Sequence, residues 1–167
     1  GKTISDPCGS CRGRGLEQKK KRIKVHVPAG VDQGSKIRMS GAGNAGPMGG
    51  PVGDLYVVIS IHAHKYFQRE GDDLICRLGI SYAQAVLGDD VEVPVMDGKV
   101  SLKIPAGTQS HAVFRIRGKG MPRLQGSGRG DQHVQVLIEV PKHPSGKEKE
   151  LLAELQKVSA ERESQKS

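Results

Sequence analysis

The sequence predicts a mainly β protein, with two tandem β-sandwich-like domains followed by a C-terminal helix. Three observations support this fold class. Glycine accounts for 23 of the 167 residues, which favours turns between strands over long helices. Several short segments alternate apolar and polar residues, as half-buried strands do. In addition, the block at residues 23–67 recurs without gaps at residues 100–144.

The internal repeat is clearest at its Pro-Ala-Gly turns. Val27-Pro28-Ala29-Gly30 recurs as Ile104-Pro105-Ala106-Gly107, an offset of 77 residues. The same offset pairs Arg38 with Arg115, Gly41 with Gly118, Gly43 with Gly120, Gly49 with Gly126, Asp54 with Asp131, Val57 with Val134 and Ile61 with Ile138. A shared backbone plan is the economical explanation. We call residues 23–67 repeat 1 and residues 100–144 repeat 2.

Each repeat predicts the same order of elements. An alternating strand (residues 23–27 or 100–104) precedes the Pro-Ala-Gly turn, and a short strand follows around residues 37–39 or 114–116. A long glycine-rich loop then leads to a longer strand, at residues 55–61 or 133–140.

Between the repeats, a strand is predicted at residues 73–81, one helical turn at 82–87 and a strand at 91–95. Subtracting 77 gives no counterparts near the start of the chain, so we expect the opening strands of repeat 1 to lie upstream. The predicted organisation is a cysteine-rich remnant (1–18), an incomplete first β domain (19–69), a second β domain (70–146) and a helix with its tail (147–167).

The C-terminal helix is predicted from a capping box, Ser145-Gly-Lys-Glu148. The apolar residues that follow share one face: Leu151, Leu152, Leu155 and Val158. A lone helix of this length is not stable in water, so it must dock on the body or on a second copy. The charged sequence after Ala160 is expected to fray.

Residues 41–46, GAGNAG, spell the G-x-G-x-x-G pattern of a dinucleotide-binding loop. That fingerprint requires a helix directly afterwards, and the following run of Pro and Gly excludes one. In repeat 2 the third glycine position is Arg123. We therefore expect no nucleotide cofactor and interpret the glycines as positive-φ residues of a strand connection.

The net charge of +8 includes one dense basic run, formed by Lys19, Lys20, Lys21 and Arg22. A solvated segment is the favoured interpretation, because no aromatic residues for base stacking are interleaved with it. Nucleic-acid binding through this run and the cysteine pair is the alternative, and it predicts affinity that falls steeply with salt. No Ser/His/Asp or Cys/His arrangement stands out, so an enzyme is not expected.

The chain has three cysteines: Cys8, Cys11 and Cys76. Cys8 and Cys11 have the C-x-x-C spacing with which two thiolates share a tetrahedral zinc ion, but such a site needs four ligands. Cys76 falls inside a predicted strand and is interpreted as a core residue. A redox C-x-x-C is disfavoured because the βαβ context is missing. An odd cysteine count without a signal peptide favours a reducing, cytoplasmic location, and no segment predicts a membrane span.

Residues 8–15 read C-x-x-C-x-G-x-G, and the repeat with V-P-A-G and I-P-A-G turns follows at once. This arrangement resembles the class A J-domain co-chaperones, the DnaJ family. Further matching stretches are 53–56 (GDLY), 64–74 (HKYFQREGDDL), 85–88 (AVLG), 104–109 (IPAGTQ) and 117–122 (RGKGMP). The resemblance extends over nearly the whole chain.

The resemblance implies a non-enzymatic chaperone that binds unfolded polypeptide clients, prevents their aggregation and delivers them to a DnaK-type ATP-driven chaperone. It also implies a homodimer formed through the C-terminal helix, and zinc in the intact protein. Because this chain has one of the family's four cysteine repeats, we expect it to bind no zinc by itself. It has no His-Pro-Asp motif and should not stimulate the partner's ATPase. It also lacks the strand that forms one wall of the family's client groove.

For client binding, the resemblance points first to Phe67, which matches an aromatic residue of the family's groove. Ile23, Val25, Ile37 and Met39 are weaker candidates, since ordinary sandwich core explains each of them equally well. A sheet with an open edge and aliphatic pockets can accept an extended client as an added strand.

Overall fold

The computed structural model describes Gly9, Glu17 and residues 19–46 and 49–164. Over these residues the chain is mainly β, which confirms the predicted fold class. Its strands and helices, in chain order, are β1 (Lys36–Met39), β2 (Leu55–Val58), β3 (Phe67–Glu70), β4 (Asp73–Ser81), α1 (Tyr82–Leu87), β5 (Asp89–Val95), β6 (Gly98–Ile104), β7 (Val113–Ile116), β8 (Gln132–Glu139) and α2 (Gly146–Ser164). They form two two-stranded sheets, β1-β2 and β5-β6, and one four-stranded sheet in the order β3-β4-β8-β7.

The chain divides into two compact units. The first contains the residues up to 76 together with 115–134, and the second contains residues 77–114 and 135–167. In the first unit, β1 and β2 are antiparallel, with Ile37 opposite Val57. The β3-β4 hairpin places Phe67 opposite Cys76.

The second unit contains a closed apolar core. Its buried members are Ile80, Ala85, Ile104 and Val136, with Leu78, Val91, Leu102, Phe114 and Ile138 packed around them. The β5-β6 hairpin pairs along its whole length, from Asp89 opposite Ile104 to Val95 opposite Gly98. Ser81 caps α1 in a capping box with Gln84, which satisfies otherwise unpaired N–H groups of the first turn.

The internal repeat is confirmed by the backbone hydrogen bonds. Bonds at an offset of 77 residues have matching lengths in the two repeats. The matched pairs, repeat 1 first, are Gly34 N to Ile59 O (2.9 Å) and His111 N to Val136 O (2.7 Å), Ile59 N to Ser35 O (2.9 Å) and Val136 N to Ala112 O (2.9 Å), Gly43 N to Gly53 O (2.8 Å) and Gly120 N to Gly130 O (2.8 Å), and Gly53 N to Asn44 O (3.0 Å) and Gly130 N to Met121 O (3.0 Å). The two sequences therefore specify one backbone plan.

The glycines of the opening motif serve two different purposes. Gly41 has φ +66°, as predicted for a strand connection, and its counterpart Gly118 has φ +67°. Gly43 instead allows a close backbone approach, because a Cβ there would lie 2.7 Å from the carbonyl oxygen of Asp54. The interpretation of both glycines as positive-φ residues is therefore wrong for Gly43.

The predicted strand at residues 23–27 is absent, since none of residues 19–28 joins a described sheet. Its counterpart, β6, forms because β5 supplies a pairing partner. No described segment does the same for residues 23–27, and an isolated strand leaves its backbone groups to water. The two positions consequently differ in burial: Val27 is 49% exposed, whereas Ile104 is 1% exposed.

Three further boundaries differ from the prediction. Strand β2 ends at Val58 rather than residue 61, β3 was not predicted at all, and α2 continues to Ser164 instead of fraying after Ala160. The predicted capping box of α2 is present, because Glu148 N donates to Ser145 Oγ (3.3 Å) and Ser145 N donates to Glu148 Oε2 (2.6 Å). That second hydrogen bond lowers the pKa of the exposed Glu148 carboxyl group.

Candidate polypeptide-binding surface

The β1-β2 ribbon of repeat 1 has one apolar face. Ile37 and Met39 lie on this face, directly opposite Val57 and Leu55 on the neighbouring strand. All four side chains are only half-buried. Their alternation with exposed residues follows from the two-residue period of a strand.

Ile23 and Val25 precede this ribbon in the chain. Both side chains are half-buried and alternate with exposed neighbours, although no strand forms there. The segment ends at the turn that contains Gly30, which is buried and has φ +85°. A Cβ at Gly30 would lie 2.3 Å from the backbone oxygen of Pro122, so this turn packs directly on backbone.

Phe67 begins β3 and is half-buried. The ring of His64 lies 5.1 Å from that of Phe67, at an interplanar angle of 30°. His64 Nδ1 also accepts hydrogen bonds from the backbone N–H groups of Tyr66 (3.2 Å) and Phe67 (3.3 Å). The neighbouring Tyr66 ring is exposed, and the Lys65 ammonium lies 5.3 Å from its centroid. These side chains form an aromatic cluster with a cationic rim.

Arg69 lies two residues after Phe67 and is half-buried on the same face of β3. Its guanidinium donates three hydrogen bonds to backbone oxygens: Nη1 to Val31 (2.6 Å), Nη2 to Gly30 (2.9 Å) and Nε to Gly71 (2.7 Å). One side chain therefore joins the Pro-Ala-Gly turn of repeat 1 to the β3-β4 turn.

Asp73, at the start of β4, accepts hydrogen bonds from the first compact unit. Its Oδ1 accepts from Asp131 N at 2.7 Å, and its Oδ2 lies 3.3 Å from His133 Nε2. The Asp131 backbone N–H foremost, and then His133, lower the pKa of the Asp73 carboxyl group. This carboxylate stabilises the end of the glycine-rich loop of repeat 2 in its folded position.

Cys76 is buried, as predicted for a core residue. Gln132 Nε2 donates to its sulfur at 3.2 Å, and burial raises the pKa of the thiol. Cys8 and Cys11 lie outside the described residues. Within the described part of the chain, no group of three or more His, Cys, Asp or Glu residues could hold a metal ion.

The apolar residues predicted for dimerisation are exposed on α2. Leu151, Leu152, Leu155 and Val158 are each between 39% and 61% exposed. The basic run at residues 19–22 is exposed too, and of its residues only Lys19 forms an ion pair within the described chain, with Glu17 at 3.1 Å. Among the described helices, none combines the length and the apolar composition that a membrane span requires.

Sequence reasoning selected Phe67 but missed the residues that act with it. Arg69 and His64 could be suspected only from their positions two residues after and three residues before Phe67. Arg69 bonds to a turn 38 and 39 residues earlier in the chain, and no local pattern indicates such a partner. The His64 contact follows from the tight turn that precedes β3.

A mainly β protein, built on a twofold sequence repeat with one incompletely covered apolar face, is the class defined by the fold and the surface. Comparison with protein-family models matches residues 4–141 to the DnaJ C terminal domain. The chain therefore belongs to the DnaJ C-terminal domain family.

Curated relatives agree with this assignment. The chain is 52% identical to the chaperone protein DnaJ of Halalkalibacterium halodurans over 97% of this chain and 44% of that protein. It is 51% identical to the protein of that name from Brevibacillus choshinensis over 99% of this chain and 44% of the relative, and 50% identical to that from Desulfitobacterium hafniense over 98% and 43%. The chain thus spans less than half the length of these relatives.

Proposed function

We propose that this chain is the client-binding part of a co-chaperone that holds extended apolar polypeptide segments. The observation that carries the proposal is the difference between the repeats. Val57 and Val27 of repeat 1 are half-buried and exposed, whereas their counterparts Val134 and Ile104 are buried. Repeat 1 therefore retains apolar surface that a further strand or a client segment can cover.

The chemistry of an extended polypeptide suits this surface. A strand presents alternate side chains to one face, so its large apolar residues can contact Phe67, Ile37 and Met39 while main-chain groups bond to an open edge. Ile23 and Val25 supply a second apolar segment near the same turn. Because main-chain bonding is independent of sequence, such a site accepts many unfolded clients.

Peptide binding to the whole chain tests this function. Fluorescence anisotropy of a labelled extended peptide with alternating leucines, at low and high salt, should show binding that salt changes little. Phe67→Ala should weaken it about tenfold or more, since truncating an aromatic anchor typically loses 2 kcal/mol or more. Tyr56→Ala is the matched control, because Tyr56 is an exposed aromatic residue on the opposite face of the ribbon.

No peptide binding by the unmodified chain would refute the proposal. Binding to nucleic acid that falls steeply with salt would instead favour the basic run, Lys19, Lys20, Lys21 and Arg22, as the functional surface.

The exposed leucines of α2 support homodimerisation. A two-copy contact would cover Leu151, Leu152, Leu155 and Val158, which the described chain leaves exposed. Sedimentation equilibrium should show a dimer that Leu155→Glu dissociates, because a carboxylate would be buried without a partner. Gln156→Glu adds the same charge at the next position and should leave the dimer intact. A strictly monomeric unmodified chain would refute this contact.

The remaining parts of the proposal concern the intact protein. There, clients pass to a DnaK-type ATP-driven chaperone in the cytoplasm. Cys8 and Cys11 contribute two of the four thiolates of a zinc site, which matches their C-x-x-C spacing. Zinc analysis of the intact protein and of this chain alone tests the last point, since only the intact protein should retain the ion.

A further inference from the structure

The segment that precedes β1 has few hydrogen-bonded connections. Within the described chain, the hydrogen bonds that join residues 19–31 to more distant residues are the two donated by Arg69, to Gly30 O and Val31 O. The turn also packs on the backbone at Pro122, which limits its position but leaves both carbonyl groups to be satisfied by other partners.

Repeat 2 holds its equivalent turn in a different way. There the N–H groups of Gly107 and Thr108 donate to the carbonyl oxygen of Ala85, at 2.9 and 3.0 Å. These are backbone bonds that no side-chain substitution removes. The position equivalent to Arg69 is Gly146, which has no side chain to donate. Attachment through a single side chain is therefore specific to repeat 1.

Arginine suits this role for a geometric reason. Its planar guanidinium presents several N–H donors in a fixed fork, so it can bond to three carbonyl groups at once. The Arg69 side chain is 18% exposed, and Asp32 Oδ1 lies 4.0 Å from Nη1. A lysine ammonium retains the charge but cannot reproduce the fork.

We propose that Arg69 is the positioning residue of the client surface, an inference that rests on the proposed function. It holds the turn that ends the segment with Ile23 and Val25 against the strand that carries Phe67. Without the fork, the segment detaches from β3 and the surface loses one of its apolar sides. Arg69 acts through these neighbours and does not itself need to touch the client.

The test compares the full chain with Arg69→Lys and Arg69→Gln. Anisotropy with the same alternating-leucine peptide should show about a tenfold rise in Kd for both variants, which corresponds to about 1.4 kcal/mol. Arg77→Lys is the matched control, an arginine at an exposed position of β4. Carbonyl ¹³C chemical shifts provide a structural signature: those of Gly30 and Val31 should change, and those of Gly107 and Thr108 should not.

Each outcome decides the proposal. Weakened binding with shift changes confined to the two turns joined by Arg69 supports it. Unchanged affinity despite altered shifts at Gly30 and Val31 overturns it, because the segment would then be irrelevant to the client. Shift changes throughout both units would show a general structural role and would also overturn it. If the unmodified chain binds no peptide, the proposed function itself fails, and the inference fails with it.

Discussion

The two repeats make opposite predictions for equivalent core substitutions. Ile104 is 1% exposed and packs in the core of the second compact unit, whereas its counterpart Val27 is 49% exposed. Ile104→Ala removes three carbon atoms at about 0.8 kcal/mol each and leaves a cavity. We therefore expect it to lower the free energy of unfolding by about 3–4 kcal/mol. Val27→Ala removes two carbons from a half-exposed site, so we expect a loss below about 1 kcal/mol.

Urea unfolding followed by circular dichroism measures both losses, and thermal unfolding provides a second estimate. For a unit of this size, 1 kcal/mol corresponds to about 4–8 °C, so Ile104→Ala should lower the melting temperature by about 15 °C or more. Native-state hydrogen exchange should assign this loss to β5 and β6. The amides of repeat 1 should retain their protection.

A second pair checks the same reasoning inside one compact unit. Val134 is fully buried and Val57 is half-buried, and both residues are valines of the first unit. Val134→Ala should be about twice as destabilising as Val57→Ala. Equal losses for Val27→Ala and Ile104→Ala would refute the argument, because they would mean that Val27 is covered in solution as completely as Ile104.

Three further predictions concern backbone and charge. Gly30→Ala should destabilise by more than about 2 kcal/mol in chemical denaturation, since its Cβ would meet backbone at 2.3 Å; Gly34→Ala, with φ +77° and open space, should lose only about 1 kcal/mol. His111→Gly should stabilise by about 0.5–1 kcal/mol in the same assay, because His111 is held at φ +70°. The lowered pKa of Asp73 means that its contribution is present above the ordinary pKa of 3.8 and is lost as pH falls through the folded value. Asp73→Ala should therefore reduce stability at pH 7 but change it little at pH 2, and His133→Ala should reproduce part of that loss.

The repeat could be recognised from sequence because its turns constrain residue type directly. Gly41 and Gly118 require positive φ, and Asp54 and Asp131 each accept a hydrogen bond from the corresponding glycine N–H, at 3.0 and 2.8 Å. Such local requirements leave identities at a constant spacing. The buried Cys76 was predicted for a related reason, since it alternates with polar residues in a strand.

The strand at residues 23–27 could not be judged in this way. Its alternation matches that of β6, but a strand forms only where another segment satisfies its backbone, and the sequence does not say whether that segment is in place. The helix α2 illustrates the reverse case, because its capping box is local and its start was predicted correctly.

The sequence by itself determined the repeat, the mainly β class, the capped helices and the family, because each of these depends on residues close together or on a constant offset. Only the tertiary structure decided which repeat has a closed core and which residue holds the turn of repeat 1. Burial depends on partners supplied by distant segments. The contacts of Arg69 extend over 38 and 39 residues, a separation at which chain sequence carries no local signal.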